Sequence, residues 1–477
     1  MEKKPFYITA TIFYPNANLH IGNAYTATLC DILARANKLQ EKEVYFVTGS
    51  DENTGKIIKT IADNNQTVEE YLTEVTTKFK DLYNKLDISY DKFVQTSNKE
   101  KHWPAAISIW NKLVEAGDIY KSKYTGLYCV GCESFYTEKD LIDGKCPIHL
   151  TVPERIEEEN YFFRLSKYTD IIKQRIENNE LRIIPNTRKN EILALLDRGL
   201  EDISFSRPIK NVPHGIPVPG DSGQVIYVWS DALVSYISGL GYGQEKTETF
   251  DKFWPADVHI IGKDILRFHA AIWPAMLLSA GLPLPKSILA HGLITSGGHK
   301  MSKSLGNVVD PFELISEYGK DSVRYYFARE ISQFDDGDFT MEKFKEVYNA
   351  NLANGLGNLV SRIMKMAESN LDSPVTIAEF EDVSEYFEYL NNFEINKAAD
   401  YIWKEIGEMD AIVQTKEPFK LVKTDKIAGQ KVISELVVRL YSVARMLNPI
   451  MPETSTRIKT LIKENKSPRA PLFIRKD

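Results

Sequence analysis

Three groups of residues in this 477-residue chain have the types and spacing to do chemistry. His20-Ile21-Gly22-Asn23 stands just before an apolar-periodic stretch. At a helix start the unpaired amides and the dipole favour a phosphate, Gly22 lets the backbone approach closely, and His20 can donate to a phosphate oxygen. Ser296-Gly-Gly-His-Lys-Met-Ser-Lys-Ser304 sets Lys300 and Lys303 three apart in a loop that Gly297 and Gly298 would make mobile. Such a loop can close over a polyphosphate, neutralise charge as a phosphoryl bond breaks, and reopen. Taken singly, each string also fits an ordinary surface turn.

The third group is Cys129-Val-Gly-Cys132 with Cys146-Pro-Ile-His149, thirteen residues apart and holding three of the four cysteines. Two knuckles with two-residue spacers can wrap one tetrahedral zinc. With all four positions filled by protein no place remains for water, so such a zinc would be structural. Asp51, after an apolar run, could hold a substrate ammonium or cap the next helix. Gly49 to Lys56 superficially suggests a Walker A loop, but five residues separate Gly49 from Gly55 and Ile57 stands where Ser or Thr is required.

The elements that must position these groups are legible as a βαβ unit: strand 6–13, helix 23–40, strand 44–49. A parallel sheet follows, with its ligand beyond the carboxyl ends of the strands. From 117 to 217 Cys, Gly, Pro and charged turns predict an insertion. Strands at 225–229, 258–262 and 287–292, with a helix through 265–280, resume the α/β pattern. After about Glu342 the apolar spacing predicts a helical bundle, with Leu352, Leu356, Leu359, Ile363 and Met366 on one face and Val432, Leu436, Leu440, Val443 and Leu447 on another. The expected organisation is an α/β, split Rossmann-like core (1–116 and 218–295), a connective zinc-knuckle insertion (117–217), a region around the lysine loop (296–345) and an all-α domain (346–477).

The length allows roughly three domains. Hydrophobic residues at 43% and charged at 26% exclude collagen-like and disordered classes. No leader peptide and no apolar run of membrane-spanning length is recognisable, so a cytoplasmic protein without a membrane partner is expected. The net charge of −7 hides an asymmetry: residues 420–477 carry 13 Lys/Arg against 5 Asp/Glu. A basic end on an acidic body suits a phosphate backbone, and equally a solvated helix surface.

Together the strings HIGN (20–23) and KMSKS (300–304) resemble the paired HIGH and KMSKS signatures of class I aminoacyl-tRNA synthetases. The run WPADVHIIGKDILRFHAAIWPAML (254–277) and the CVGC…CPIH knuckle resemble the methionyl-tRNA synthetases, a likeness running from Phe6 to about Pro452. It implies that L-methionine and ATP, with Mg2+ on the departing phosphates, form methionyl-adenylate, and that methionine then passes to the 3′ end of tRNA(Met). By the same likeness His20, Asn23, Lys300 and Lys303 are catalytic. Gly22, Gly262, Asp264, His291 and Gly292 line ATP. Ile12, Tyr14, Asp51, Trp229, Ala232, Tyr236, Ile265 and His269 bind methionine, with Asp51 on the ammonium. Trp229 and Tyr236 can enclose a thioether, and a tyrosine hydroxyl can donate weakly to sulfur. Asn358, Arg362 and Phe419 would read the anticodon, and Cys129, Cys132, Cys146 and His149 would hold structural Zn2+.

This sequence departs from the family pattern in three places: Asn23 replaces the second His of HIGH, Leu233 replaces a pocket Pro, and Phe419 replaces a Trp. A C-terminal tRNA-binding and dimerisation module is not recognised, so a monomer is expected. The insertion is too short for the editing domain of the isoleucyl, valyl and leucyl enzymes. The cysteinyl enzyme needs a catalytic zinc and a cysteine in the first strand, where none stands. A catalytically silent tRNA-binding paralogue would be expected to lack one of His20, Asp51, Lys300 or Lys303, and all four are present.

Overall fold

The computed structural model describes residues 3–15, 19–131, 134–136, 138–147, 150–301, 307–377 and 383–477. They form two compact units, one of Met1–Leu19, Glu41–Asp81 and Ser89–His291, the other of His20–Gln40, Leu82–Ile88 and Gly292–Asp477.

The first unit is built on six strands, β1 (Pro5–Ala10), β2 (Glu43–Ser50), β3 (Lys92–Gln95), β4 (Arg182–Ile184), β5 (Val258–Gly262) and β6 (Ser287–His291). Their order is β3-β2-β1-β5-β6-β4 and every neighbouring pair is parallel. Continuous apolar runs suit strands covered on both faces, and Ile8, Phe46, Val47, Ile260, Ile261, Ile288 and Leu289 are all fully buried. Strand order reverses about β1, which pairs with β2 on one side and β5 on the other. In parallel sheets of this kind ligands bind at such a switch point, beyond the carboxyl ends of the strands. Thr11 to Tyr14, Asp51, Gly262 to Asp264 and Gly292 follow those ends directly.

Several expectations are corrected here. Arg182–Ile184, within the span read as insertion, forms the sheet edge against Ser287–Leu289; three residues are too few to carry a period. The strand expected at 225–229 is instead Asp221–Ile226, antiparallel to Ser206–Pro208 and outside the core sheet. A helix begins at Val228, so Trp229 and Ala232 lie on it. The helix expected through 265–280 is broken into a 3-10 turn (Lys263–Ile265), a π turn (Phe268–Ile272) and an α segment (Trp273–Ser279). Pro274 lacks an N–H and sits in the first turn of that α segment, where none is needed. The remaining insertion carries a four-stranded antiparallel sheet of Ile119–Cys129, Ser134–Tyr136, Glu154–Phe163 and Ile203–Ser204.

The second unit contains α1 (Ile21–Leu39) and the C-terminal helices, among them Lys320–Arg329, Asn358–Asn370, Ile395–Lys416, Pro418–Thr424 and Lys426–Leu447. The helical region follows the apolar spacing, with Leu352, Leu356, Leu359, Ile363, Leu436, Leu440, Val443 and Leu447 buried; Val432 is half-buried. Arg324 is fully buried. Its guanidinium donates to Asp31 Oδ2 on α1 (2.7 Å) and to the carbonyls of Leu86 (3.0 Å), Pro449 (2.7 Å) and Ile450 (2.9 Å). One side chain thus satisfies groups from three segments, as a buried charge requires. Among the described residues, no helix is long and apolar enough to cross a membrane.

Candidate active site

His20 is the N-cap of α1, in extended conformation. Its Nδ1 accepts from the Gly22 N–H (3.1 Å), while its own N–H donates to Asn23 Oδ1 (3.1 Å), a reciprocal capping box. Because Nδ1 is an acceptor, the neutral ring carries its proton on Nε2 and can donate there. Asn23 spends its oxygen on the cap and keeps an NH2 donor. A Cβ on Gly22 would fall 2.9 Å from the His20 ring, so glycine is required for this arrangement.

Ile21 N–H donates to the Val309 carbonyl (3.2 Å), and Gly22 faces Met301, which is buried. The two sequence signatures, 280 residues apart, therefore meet within one compact unit. Ile294–Ser296 and His299–Lys300 form a hairpin whose turn is Gly297 and Gly298, both at positive φ, with Gly298 N–H donating to Asp338 Oδ1 (2.8 Å). The two glycines, expected to make the loop mobile, are the turn of this hairpin. They supply the left-handed pair of a tight turn, and the third strand Gly337–Phe339 fixes it. Of Lys300 only the backbone is described; Lys303 lies outside the described residues. Gly292 needs its missing side chain for packing, because a Cβ would fall 1.9 Å from the Asp335 carbonyl oxygen.

In the first unit the β1 exit is pinned to the β2 exit: Phe13 N–H donates to the Gly49 carbonyl (3.3 Å) and Asp51 N–H to the Phe13 carbonyl (2.9 Å). Asp51 is buried and caps no helix, since the next one has Gly55 as N-cap. The capping reading is thereby removed. Tyr14 meets the Trp229 ring edge-on at 6.4 Å, and Trp229 stacks on Phe268 at 3.7 Å. Ile12, Ala232 and Leu233 are buried, as are Tyr236 and His269.

Tyr236 Oη lies 2.7 Å from His269 Nε2, and His269 Nδ1 lies 3.0 Å from the Ile265 carbonyl oxygen. A carbonyl can only accept, so Nδ1 carries the proton and the tyrosine donates to Nε2. This differs from the expectation of a hydroxyl aimed at sulfur: its proton is directed at the imidazole. Burial lowers His269 to a pKa of about 4, so it is neutral at physiological pH. Behind Tyr236 stands His259, stacked at 4.5 Å and held neutral by burial, its Nε2 accepting from Trp273 (3.3 Å). Gly262 and His291 close their strands, His291 buried, and Asp264 is exposed on the turn beyond.

Elsewhere, Cys129 and Cys146 are buried in one small cluster against Tyr136, with no disulfide between them. Cys132 and His149 lie outside the described residues, and no group of three metal-ligating side chains is found among the described ones. In the helical domain Asn358 is exposed, Arg362 donates to Asp410 Oδ1 (2.5 Å), and Phe419 is 43% exposed.

Phe268 and the buried polar groups Asn53, His102 and Asp231 were not singled out from sequence. For Phe268 the signal was its place beside His269; for the others an isolated polar residue carries none.

The model of the tRNA synthetases class I (M) family matches residues 6–152 and 138–364. The methionine–tRNA ligase of Clostridium acetobutylicum is 44% identical over 475 residues, covering 96% of this chain and 73% of that protein. That of Thermotoga maritima is 40% identical, covering 95% and 74%. A Mycobacterium tuberculosis methionyl-tRNA synthetase solved with methionyl-adenylate superposes with a TM-score of 0.89 at 36% identity, covering 96% of this chain and 93% of that one. The chain belongs to the methionyl-tRNA synthetases, within the class I tRNA synthetases.

Proposed function

We propose that this chain joins L-methionine to tRNA(Met) in two steps and that the residues named above carry them. Methionine lies with its ammonium on Asp51 and its thioether between Trp229 and Tyr236. Gly262, Asp264, His291 and Gly292 line ATP, and Mg2+ would neutralise its departing phosphates. A carboxylate oxygen attacks the α-phosphorus in line, the bond from the α-phosphorus to the α,β-bridging oxygen breaks, and pyrophosphate leaves with that oxygen. His20 Nε2–H and the Asn23 amide donate to phosphate oxygens, while Lys300 and Lys303 neutralise the departing charge. A hydroxyl of the terminal ribose of tRNA then attacks the carbonyl carbon of the adenylate, AMP leaves, and no covalent enzyme intermediate forms.

Asn358, Arg362 and Phe419 read the anticodon, Phe419 by stacking. Cys129, Cys132, Cys146 and His149 would hold a structural zinc; the burial of two thiols together, seventeen residues apart in sequence, supports it. The reading includes a cytoplasmic monomer and the five-part organisation given above.

The observation that carries the proposal is the meeting of the His20 helix start with Met301 and with the Val309 carbonyl. Charging of tRNA(Met) with labelled methionine tests it. Lys303→Ala should slow adenylate formation by roughly 10²-fold or more while methionine affinity stays within twofold. An unchanged burst of adenylate would remove that lysine from the mechanism.

A further inference from the structure

A buried polar chain, distinct from the residues already assigned, links three segments that would hold methionine. Asn53, two residues beyond Asp51, donates from Nδ2 to Asp231 Oδ2 (2.8 Å) and to the Thr96 carbonyl (2.9 Å). Asp231, two residues beyond Trp229, accepts on Oδ1 from His102 Nε2 (2.6 Å). His102 Nδ1 is hydrogen-bonded to Ser238 Oγ (2.8 Å), two residues beyond Tyr236. Asn53, His102 and Asp231 are each at most 3% exposed.

The spacing gives this chain a consequence. Each of the three pocket residues Asp51, Trp229 and Tyr236 has a network member at i+2, so one continuous set of bonds fixes three separately folded segments. Those segments are the β2 exit, the Val228–Ala232 helix and the Ser235–Ser238 helix, with His102 arriving as N-cap of a fourth element, Trp103–Glu115. Both Asp231 oxygens are occupied by donors from different segments, so losing either donor leaves a buried carboxylate half-satisfied and frees one segment to shift. Displacements of about 1 Å at a site can cost about 10²-fold in function.

We propose that Asn53, Asp231 and His102 are positioning residues for the amino-acid pocket: they hold Asp51 in register with Trp229 and Tyr236, and so set methionine affinity without touching substrate. This rests on the function proposed above. None of the four bonds reaches a residue assigned to ATP, so the effect should be confined to the amino acid.

The test measures KM for methionine and for ATP separately in pyrophosphate exchange, on the full chain, for Asn53→Ala, His102→Ala and His102→Gln, with thermal midpoints as a folding control. The expected result is a rise of about tenfold or more in the methionine KM for both alanine variants, an ATP KM within twofold of wild type, and partial rescue by His102→Gln, which restores a donor to Asp231. If His102→Ala does not fold, Asn53→Ala, on a loop, decides alone. A methionine KM within twofold of wild type, or equal rises in both constants, would overturn the inference. Absence of methionine-dependent exchange in the wild-type chain would instead strike at the proposed function.

Discussion

Tyr236 and His269 share one proton in a fixed direction: with His269 Nδ1 committed to the Ile265 carbonyl, the tyrosine hydroxyl donates to Nε2 across 2.7 Å. Both side chains are buried, so the direction of that hydroxyl is fixed. Tyr236→Phe leaves the imidazole nitrogen without its donor inside a buried site. The methionine KM should rise roughly tenfold while the ATP KM stays within twofold; steady-state exchange with each substrate varied in turn reads both.

The same histidine makes stability depend on acidity. Its folded pKa of about 4 lies below the ordinary value of 6.5. The unfolded chain therefore takes up a proton first as pH falls, and stability is lost between about 6.5 and 4, by roughly 2 kcal/mol at pH 5. Burial lowers His259 in the same direction, adding to the loss. Thermal midpoints at pH 7 and pH 5 should differ more for wild type than for His269→Gln. An identical drop in both would show that His269 is not buried neutral.

Arg362 and Phe419 belong to the helical domain, remote in sequence from the adenylate chemistry. Arg362→Ala and Phe419→Ala should weaken tRNA charging by about tenfold each, since loss of a base-stacking ring is worth about 1–3 kcal/mol. Pyrophosphate exchange should be untouched. Because Arg362 also pairs with Asp410, Asp410→Asn is expected to change charging and spare exchange as well. Equal losses in the two assays would argue against a separate reading domain.

Much of this arrangement was legible in the residues. The βαβ order of β1, α1 and β2 pointed to a parallel sheet, although the equally apolar run at 225–229 lies outside it. The pairing of His20–Asn23 with the 300–304 string pointed to a shared site. What stayed hidden was context. The hairpin at Gly297 and Gly298 was not visible, because a hairpin turn and a flexible loop use the same residue and its partner strand Gly337–Phe339 is distant in sequence. Trp229 was expected on a strand because VIYVW is β-prone, yet the chain turns at Tyr227 and Ser230 bonds back to that carbonyl to start a helix. The direction of the Tyr236 proton depends on the Ile265 carbonyl, a backbone group that no side-chain pattern reveals.

The cysteine cluster predicts one zinc per chain by metal analysis. Cys146→Ser should lose it, and the loss should loosen the Ile119–Phe163 region first, seen as faster amide exchange there with the core sheet protected. Retention of full metal by that variant would exclude Cys146 as a ligand.

The account turns on the claim that this chain activates methionine with ATP. Labelled pyrophosphate exchange into ATP measures that reaction alone, before any tRNA is involved. The chain should incorporate label in the presence of methionine and only weakly with leucine, which lacks the sulfur. No incorporation with methionine, or equal incorporation with leucine, would contradict the account.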